Sequence, residues 1–254
     1  MKYTLPTIAL GVTLGATSLG NAYAQQANQV RLNLLPLTTG TVAVEYERVL
    51  SGGLSAVGMI SYRPEGKLPF YSSWNSLIDE QETRDMLADS KQGALSLAVE
   101  ARYYPGKKGA MRGFYLAPYL KHATYSAGVP LPVEFEPPAE SGIENIDEVT
   151  LSGDLKTLTA GLGLGVQFSL GKRVSLDWKI IGPGYGSSKG TLIGKADRNL
   201  TPSEQEEIRN ELDNLEDIPM VKIESKTVNA EGAEMKIKGP WAGIRTGLSI
   251  GFKF

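Results

Sequence analysis

The sequence predicts an all-β fold: an eight-stranded antiparallel transmembrane β-barrel with long extracellular loops, one of which carries a short α-helix and a hairpin. Three observations predict it. Apolar and polar residues alternate with period two in segments of strand length. The alternation is strictest at the C-terminus, where Ala242, Ile244, Thr246, Leu248, Ile250, Phe252 and Phe254 share one face and Gly243, Arg245, Gly247, Ser249, Gly251 and Lys253 the other. A tilted strand needs roughly 9–11 residues to cross a bilayer, and this run exceeds that. Beyond the N-terminus, no stretch reaches the ~18 apolar residues of a membrane helix. Short and long connections alternate, as in barrels with short periplasmic turns and long external loops.

The N-terminus reads as a processing signal. Lys2 is a short positive region, Leu5 to Leu19 is apolar, and Ala22-Tyr23-Ala24 is an A-x-A cleavage site. Residues 1–24 are therefore expected to be a signal peptide and residues 25–254 one barrel domain. The chain has no cysteine, which excludes a lipid-modified cysteine, a disulfide and a thiolate metal site.

The first strand is expected over Val30 to Leu37, with Thr38-Thr39-Gly40 as a tight connection. Thr41 to Val49 puts Val42, Val44 and Tyr46 on one face and Ala43, Glu45 and Glu47 on the other. Leu54 to Tyr62 leaves its facing open, because Val57 and Met59 compete with Ile60 and Tyr62. A long loop over 63–92 holds an acidic segment, Leu77 to Ala88, with helical character. Gly93 to Tyr104 alternates cleanly, and Gly113 to Tyr125 follows. Pro118 there costs one ladder hydrogen bond or marks a bulge. A second long loop is expected over 126–154.

Leu155 to Ser169 places Leu158, Ala160, Leu162, Leu164, Val166 and Phe168 opposite Gly161, Gly163 and Gly165. Three lumen glycines in alternation predict crowding inside a narrow tube. Val174, Leu176, Trp178 and Ile180 then face out, with Ser175, Asp177 and Lys179 inward. The third long loop, 183–240, carries Thr201-Pro202-Ser203-Glu204. This is a helix start, with Thr as N-cap, Pro at the first position and Glu closing a capping box. Ile208, Leu212 and Leu215 follow at helical spacing, so the helix is expected to reach about Glu216 and to lie across or beside the barrel mouth. Val221 to Lys238 reads as a hairpin around 229–232.

Acidic residues concentrate in the three long loops. Basic residues concentrate at the short turns (Lys107, Lys108, Arg112, Lys172, Arg173) and on the lumen face. Arg31, Glu45, Glu47, Glu100, Arg102, Asp177, Lys179 and Arg245 pair only if enclosed together. Each would cost roughly 2–4 kcal/mol facing lipid near the midplane.

Five segments carry a resemblance: Arg31 to Leu35, Val44 to Ser51, Ala101 to Pro105, Gly113 to Lys121 and Gly239 to Arg245. Together they resemble a family of small outer-membrane barrels, common in Bacteroidetes and catalogued as a domain of unknown function. The resemblance implies an eight-stranded barrel in the outer membrane and supplies no activity. The terminal aromatics Phe252 and Phe254 resemble the assembly signal of such barrels, which implies the barrel assembly machinery as a partner through the strand ending in Phe254.

No catalytic, cofactor-binding or metal-binding residue is assigned. His122 falls in register with Leu120 and is read as an interfacial polar residue, since no Ser-x-Gly nucleophile context accompanies it. Glu45/Glu47 and Glu100/Asp177 are read as lumen ion pairs rather than acid–base pairs. The acidic loop Glu134 to Asp154 lacks EF-type calcium spacing, and loose divalent bridging to lipopolysaccharide is its functional alternative. The expected role is structural or surface-interacting in the cell outer membrane, with a narrow filled lumen and no enzymatic activity. Expected partners are outer-membrane lipids and lipopolysaccharide, with no nucleic acid and a monomeric state. Two other classes share the pattern: a lipid-modifying outer-membrane enzyme, and a soluble lipocalin-like barrel, whose Leu/Val/Phe face would point inward.

Overall fold

The computed structural model describes residues 27–74, 81–132, 148–196, 198–214 and 222–254. The signal-peptide reading of residues 1–24 therefore lies outside the described residues. Nine strands form one antiparallel sheet: β1 (Asn28–Asn33), β2 (Val42–Ser51), β3 (Leu54–Lys67), β4 (Lys91–Tyr103), β5 (Gly113–Pro132), β6 (Glu148–Leu170), β7 (Val174–Lys195), β8 (Lys222–Asn229) and β9 (Gly232–Lys253). Eight of them close a ring in the order β1-β2-β3-β4-β5-β6-β7-β9, with β9 pairing back onto β1. The all-β, eight-stranded antiparallel barrel read from the alternation is the observed fold. β8 lies outside the ring, attached to the far end of β9.

The burial pattern is inverted relative to a water-soluble core. Val30, Val44, Ile60, Leu97, Val99, Leu162, Phe168, Trp178, Ile250 and Phe252 are exposed on the outer surface. Arg31, Glu45, Glu47, Glu100, Arg102 and Asp177 are buried inside. β3 resolves the ambiguity left by its sequence. Ser55 and Val57 are buried inward, while Leu54, Ile60 and Tyr62 are exposed outward. Its neighbours decide this: Ile60 pairs Val44 and Leu97, and Val57 pairs Glu47 and Glu100.

Several expected boundaries move. The first strand ends at Asn33, and Leu35–Thr39 is a 3₁₀ turn closed by Gly40 at φ 75. That left-handed conformation suits glycine. The 63–92 loop is narrower, since β3 runs to Lys67 and β4 starts at Lys91. Between them lie α1 (Tyr71–Trp74) and α2 (Gln81–Asp89).

The described residues of the expected 126–154 loop, 126–132 and 148–154, are strand. β5 and β6 stay paired from Gly113↔Gln167 to Pro132↔Glu148. The prolines that suggested a loop are compatible with a strand here. Pro118, Pro130 and Pro132 have the same parity. At Pro118 the β4–β5 ladder skips from Glu100↔Tyr119 to Tyr103↔Leu116 with no register shift, so Pro118 marks an interrupted ladder and not a bulge. The missing N–H groups of Pro130 and Pro132 point to the same side, where β4 has ended, its last partner being Gly128.

The 183–240 loop shrinks likewise. β7 continues to Lys195, and β9 runs unbroken through Gly239 and Pro240. The hairpin around 229–232 is observed as β8–β9. A bulge in β7 sets Ile180 and Ile181 side by side on the outer face, and Thr246 Oγ1 donates to the Lys179 carbonyl at 3.0 Å. The bulge exchanges parity, so Gly182, Gly184 and Ser188 continue the inner face begun by Ser175, Asp177 and Lys179.

The ring is therefore unequal in height. β1 to β4 hold 6 to 14 residues, whereas β5, β6, β7 and β9 hold 20 to 23. The long strands rise past the short ones as a wall on one side. The short seam between β1 and β9 ends where Leu34 N–H donates to the Leu248 carbonyl at 2.7 Å. From there to Lys238, β9 has no ladder partner on that side among the described residues.

The lumen glycines meet the crowding expected of them. A Cβ at Gly165 would lie 2.6 Å from the Trp178 carbonyl and against the Tyr115 ring, and one at Gly161 2.5 Å from Tyr119 Cζ. Two tyrosines from β5 thus fill the space that two glycines of β6 leave. Gly163 is less crowded, its nearest neighbour being the Ala117 carbonyl at 3.4 Å.

Gly165→Ala is expected to lower unfolding stability by about 1–3 kcal/mol through overpacking. Gly58→Ala, on the outer face with open space around it, is expected to leave it unchanged. A urea titration read by folded and unfolded gel mobility compares them.

α3 (Pro202–Asn214) starts at the predicted capping box. Thr201 N–H donates to Glu204 Oε2 at 2.7 Å, and Glu204 N–H to Thr201 Oγ1 at 3.4 Å. Arg198 forks onto the same carboxylate at 2.7 and 3.1 Å. The helix packs against β8, the strand outside the ring. Ile208 is half-buried; Leu215 and Glu216 lie outside the described residues. The Arg198 guanidinium, with help from Thr201, holds the Glu204 carboxyl down at about 2 from an ordinary 4.5. A carboxyl depressed in the folded state stabilises above its unfolded pKa and loses that contribution as pH falls through the folded one. Amide protection in α3 is therefore expected to hold at pH 5 and to decline between about pH 4.5 and 2. Glu204→Gln should abolish that pH dependence.

Candidate functional site

The closed interior holds the side chains with chemistry in them. The inward faces of β1, β2, β4, β7 and β9 supply, in turn, Arg31; Glu45 and Glu47; Glu100 and Arg102; Asp177 and Lys179; and Arg245. All eight charges singled out from the sequence meet in one network of four cations and four carboxylates.

Arg102 is its hub. Its guanidinium lies 3.1 Å from Glu100, 3.1 Å from Asp177, 3.5 Å from Glu45 and 3.6 Å from Glu47, so it touches every carboxylate in the group. It also stacks over the Tyr115 ring at 4.3 Å. Arg31 pairs with Glu45 at 2.8 Å and with Glu47. Lys179 Nζ reaches Glu100 at 2.6 Å and Glu45 at 3.6 Å. Arg245 Nη2 lies 2.7 Å from Glu100, and its guanidinium covers the Tyr119 ring at 4.3 Å.

Below the ions, toward the short turns, lies a neutral polar layer. Tyr104 Oη is 2.8 Å from both Glu47 Oε1 and Gln167 Oε1. Gln167 Nε2 donates to Gln29 Oε1 at 2.6 Å, and Gln29 bonds the Ser175 hydroxyl. Ser55 donates to Glu47 at 2.5 Å. Lys253 closes the end, donating to Ser169 Oγ at 2.8 Å and to the Met111 carbonyl at 3.2 Å. Ser175 lies on the inward face read for Asp177 and Lys179, whereas Gln29 and Ser55 were not singled out from sequence. Gln29 has the same parity as Arg31, and that was the one signal available. Arg31, Arg102, Tyr104 and Tyr115 are among the largest fully buried side chains of the described residues. They leave this half of the barrel filled.

Outside the barrel the candidates disperse. His122 faces outward between Leu97 and Leu158, on the opposite side of the wall from the carboxylates. Most of the acidic loop beginning at Glu134 lies outside the described residues.

Removing Arg102 leaves four enclosed carboxylates with three cations and takes from Asp177 its closest one. Arg102→Ala is expected to cost about 3–5 kcal/mol, read as a lower urea midpoint for the loss of the compact gel band. An unchanged midpoint would mean that water, and not Arg102, neutralises the interior.

No curated protein and no solved structure matches this chain. A family model described as "Protein of unknown function (DUF3575)" matches residues 9–207. The match covers β1 to β7 and stops within α3, leaving β8 and the closing strand β9 outside it. Since it takes in well over half of the chain, the protein belongs to this family of unknown function.

Proposed function

We propose that this chain is an integral outer-membrane β-barrel protein with a structural or surface-interaction role, a filled lumen and no enzymatic activity. The observation that carries the reading is the inverted facing of the wall. On β6, Leu158, Ala160, Leu162, Leu164, Val166, Phe168 and Leu170 all lie on the outer face. At about 3.3 Å per residue and a tilt near 40°, that span matches an apolar band of roughly 25–30 Å. Above it, Lys156 and Lys189 stand paired on adjacent strands. A soluble ligand-binding barrel needs the reverse facing, with its aliphatic residues lining the cavity.

The ion network argues for a plug over a pore. Eight strands enclose only enough room for side chains, and here they are large and mutually paired. Support for a non-enzymatic reading is geometric: His122 faces outward among aliphatic neighbours, and the interior carboxylates are each taken up by a cation. The proposed partners are outer-membrane lipids and lipopolysaccharide around the apolar band. The barrel assembly machinery is proposed to engage β9, whose outer aromatics Phe252 and Phe254 are half exposed. A monomer is proposed because the ring closes on itself.

The purified mature protein is expected to need detergent, to shift in gel mobility on boiling, and to give no conductance steps in a planar bilayer. Replacing 201–217 by a Gly/Ser linker should preserve the mobility shift, because α3 packs on β8, which lies outside the ring. Monodispersity in plain buffer would overturn the membrane reading. Conductance in either form would overturn the plug, and failed assembly of the deletion would make α3 part of the barrel.

A further inference from the structure

Above the ion network the interior changes character. The inward residues become small: Ala43, Ser61, Ser96, Ala123, Thr157 and Gly243. Gly243 is solvent-exposed although its position faces inward, and a Cβ added there would meet nothing within 4 Å. The barrel thus has a filled inner half and an open outer chamber, and Arg245 forms part of the floor between them.

The charge of that floor is unbalanced. Glu100 is shared by Arg102, Lys179 and Arg245. Lys121 faces inward two residues beyond Tyr119, the ring that Arg245 covers. Among the described residues, the charged groups within electrostatic reach of its ammonium are Arg245 and Lys179, both cations. No carboxylate among the described residues pairs with it. Arg245 Nη1 is buried and has no hydrogen-bond partner. Orphaned buried donors are uncommon and call for an acceptor.

The wall above the floor is apolar. Along the long strands, Tyr125, Leu155, Leu192 and Ile237 line a cavity of about 260 Å³, with Asp154 also in its lining. Tyr125 from β5 and Trp241 from β9 meet with ring centroids 5.6 Å apart, although β6 and β7 lie between their strands. Tyr125 and Trp241 each stand four residues outward of a floor cation, Lys121 and Arg245, which is roughly 13 Å along a strand.

The geometry points to a binding site for a small amphipathic organic anion, its acidic head on Lys121 and Arg245 and its apolar body against Tyr125, Trp241 and the Leu155/Leu192/Ile237 wall. A head group with two or three acceptor oxygens satisfies Arg245 Nη1 and offsets the surplus positive charge. An apolar body of one or two rings fits the cavity and the span. The site depends on the barrel interior and not on the membrane placement proposed above, so each reading can fail without the other.

The test uses the full mature chain in lipid nanodiscs, with 2-naphthoate as probe and empty nanodiscs as blank. Binding is followed by calorimetry and by tryptophan emission. Saturable binding of 2-naphthoate is expected, with 2-naphthylmethanol and acetate each weaker by about tenfold or more. Lys121→Gln is expected to weaken 2-naphthoate by about tenfold without moving the unfolding midpoint, because Lys121 has no ion-pair partner to lose among the described residues. Leu192→Asn should weaken it as well. Arg245→Gln also removes a contact to Glu100, so Lys121→Gln decides. No saturable binding above the blank, or an unchanged affinity in Lys121→Gln, overturns the site. Acetate binding as tightly as 2-naphthoate overturns the amphipathic class.

Discussion

Arg102 is the interaction on which the barrel depends. Closing a ring of eight strands traps whatever the inward positions carry, and here they carry four carboxylates. An isolated carboxylate in that space would be very costly, and water cannot reach most of them. Arg102 makes the enclosure possible by touching all four at once. Arg31, Lys179 and Arg245 complete the neutralisation from β1, β7 and β9. Because the partners come from five strands, the pairing forms only in the correct register. A one-residue slip on any strand would turn its charges outward. The network therefore specifies the topology at least as much as it stabilises it.

A steric constraint works beside the electrostatic one. Tyr115 and Tyr119 cross the lumen from β5, and they have room only because β6 has glycine at 161 and 165. Tyr115 then supplies a ring face to Arg102, and Tyr119 one to Arg245. The same two rings thus fill the tube and orient the cations. Tyr119 also donates to the Gly182 carbonyl at 3.0 Å, next to the β7 bulge. The bulge itself keeps the inner face polar and small after Lys179, where an unbroken strand would have turned Ile181 inward.

Unequal strand lengths divide the interior into two regions. Where all eight strands run side by side, the lumen is packed. Beyond the ends of β1 to β4 only the long strands continue, so the packing stops and an open chamber begins. The edge of β9 between Lys238 and Leu248 and the β8 hairpin belong to this upper region. The proposed ligand site rests on this separation of a packed lower region from an open, charged and partly apolar chamber.

The sequence by itself determined the strand class, the ring of eight, the capping box of α3 and the parity of most inward residues. Alternation and capping are local properties, written within a few residues, and so the eight lumen charges could be named before their contacts were known. The tertiary structure decided what depends on neighbours. Val57 faces inward because Glu47 and Glu100 flank it, and Ile60 faces outward because Val44 and Leu97 do. Residues 126–132 and 148–154 read as loop from their prolines and acids. They are strand because each supplies the other's ladder and because the prolines' missing donors face an edge with no partner. The bulge at Ile180–Ile181 and the meeting of Tyr125 with Trp241 also lie beyond local pattern: the bulge shows only against the ladders of β6 and β9 on its two sides, and the two rings come from strands that β6 and β7 separate.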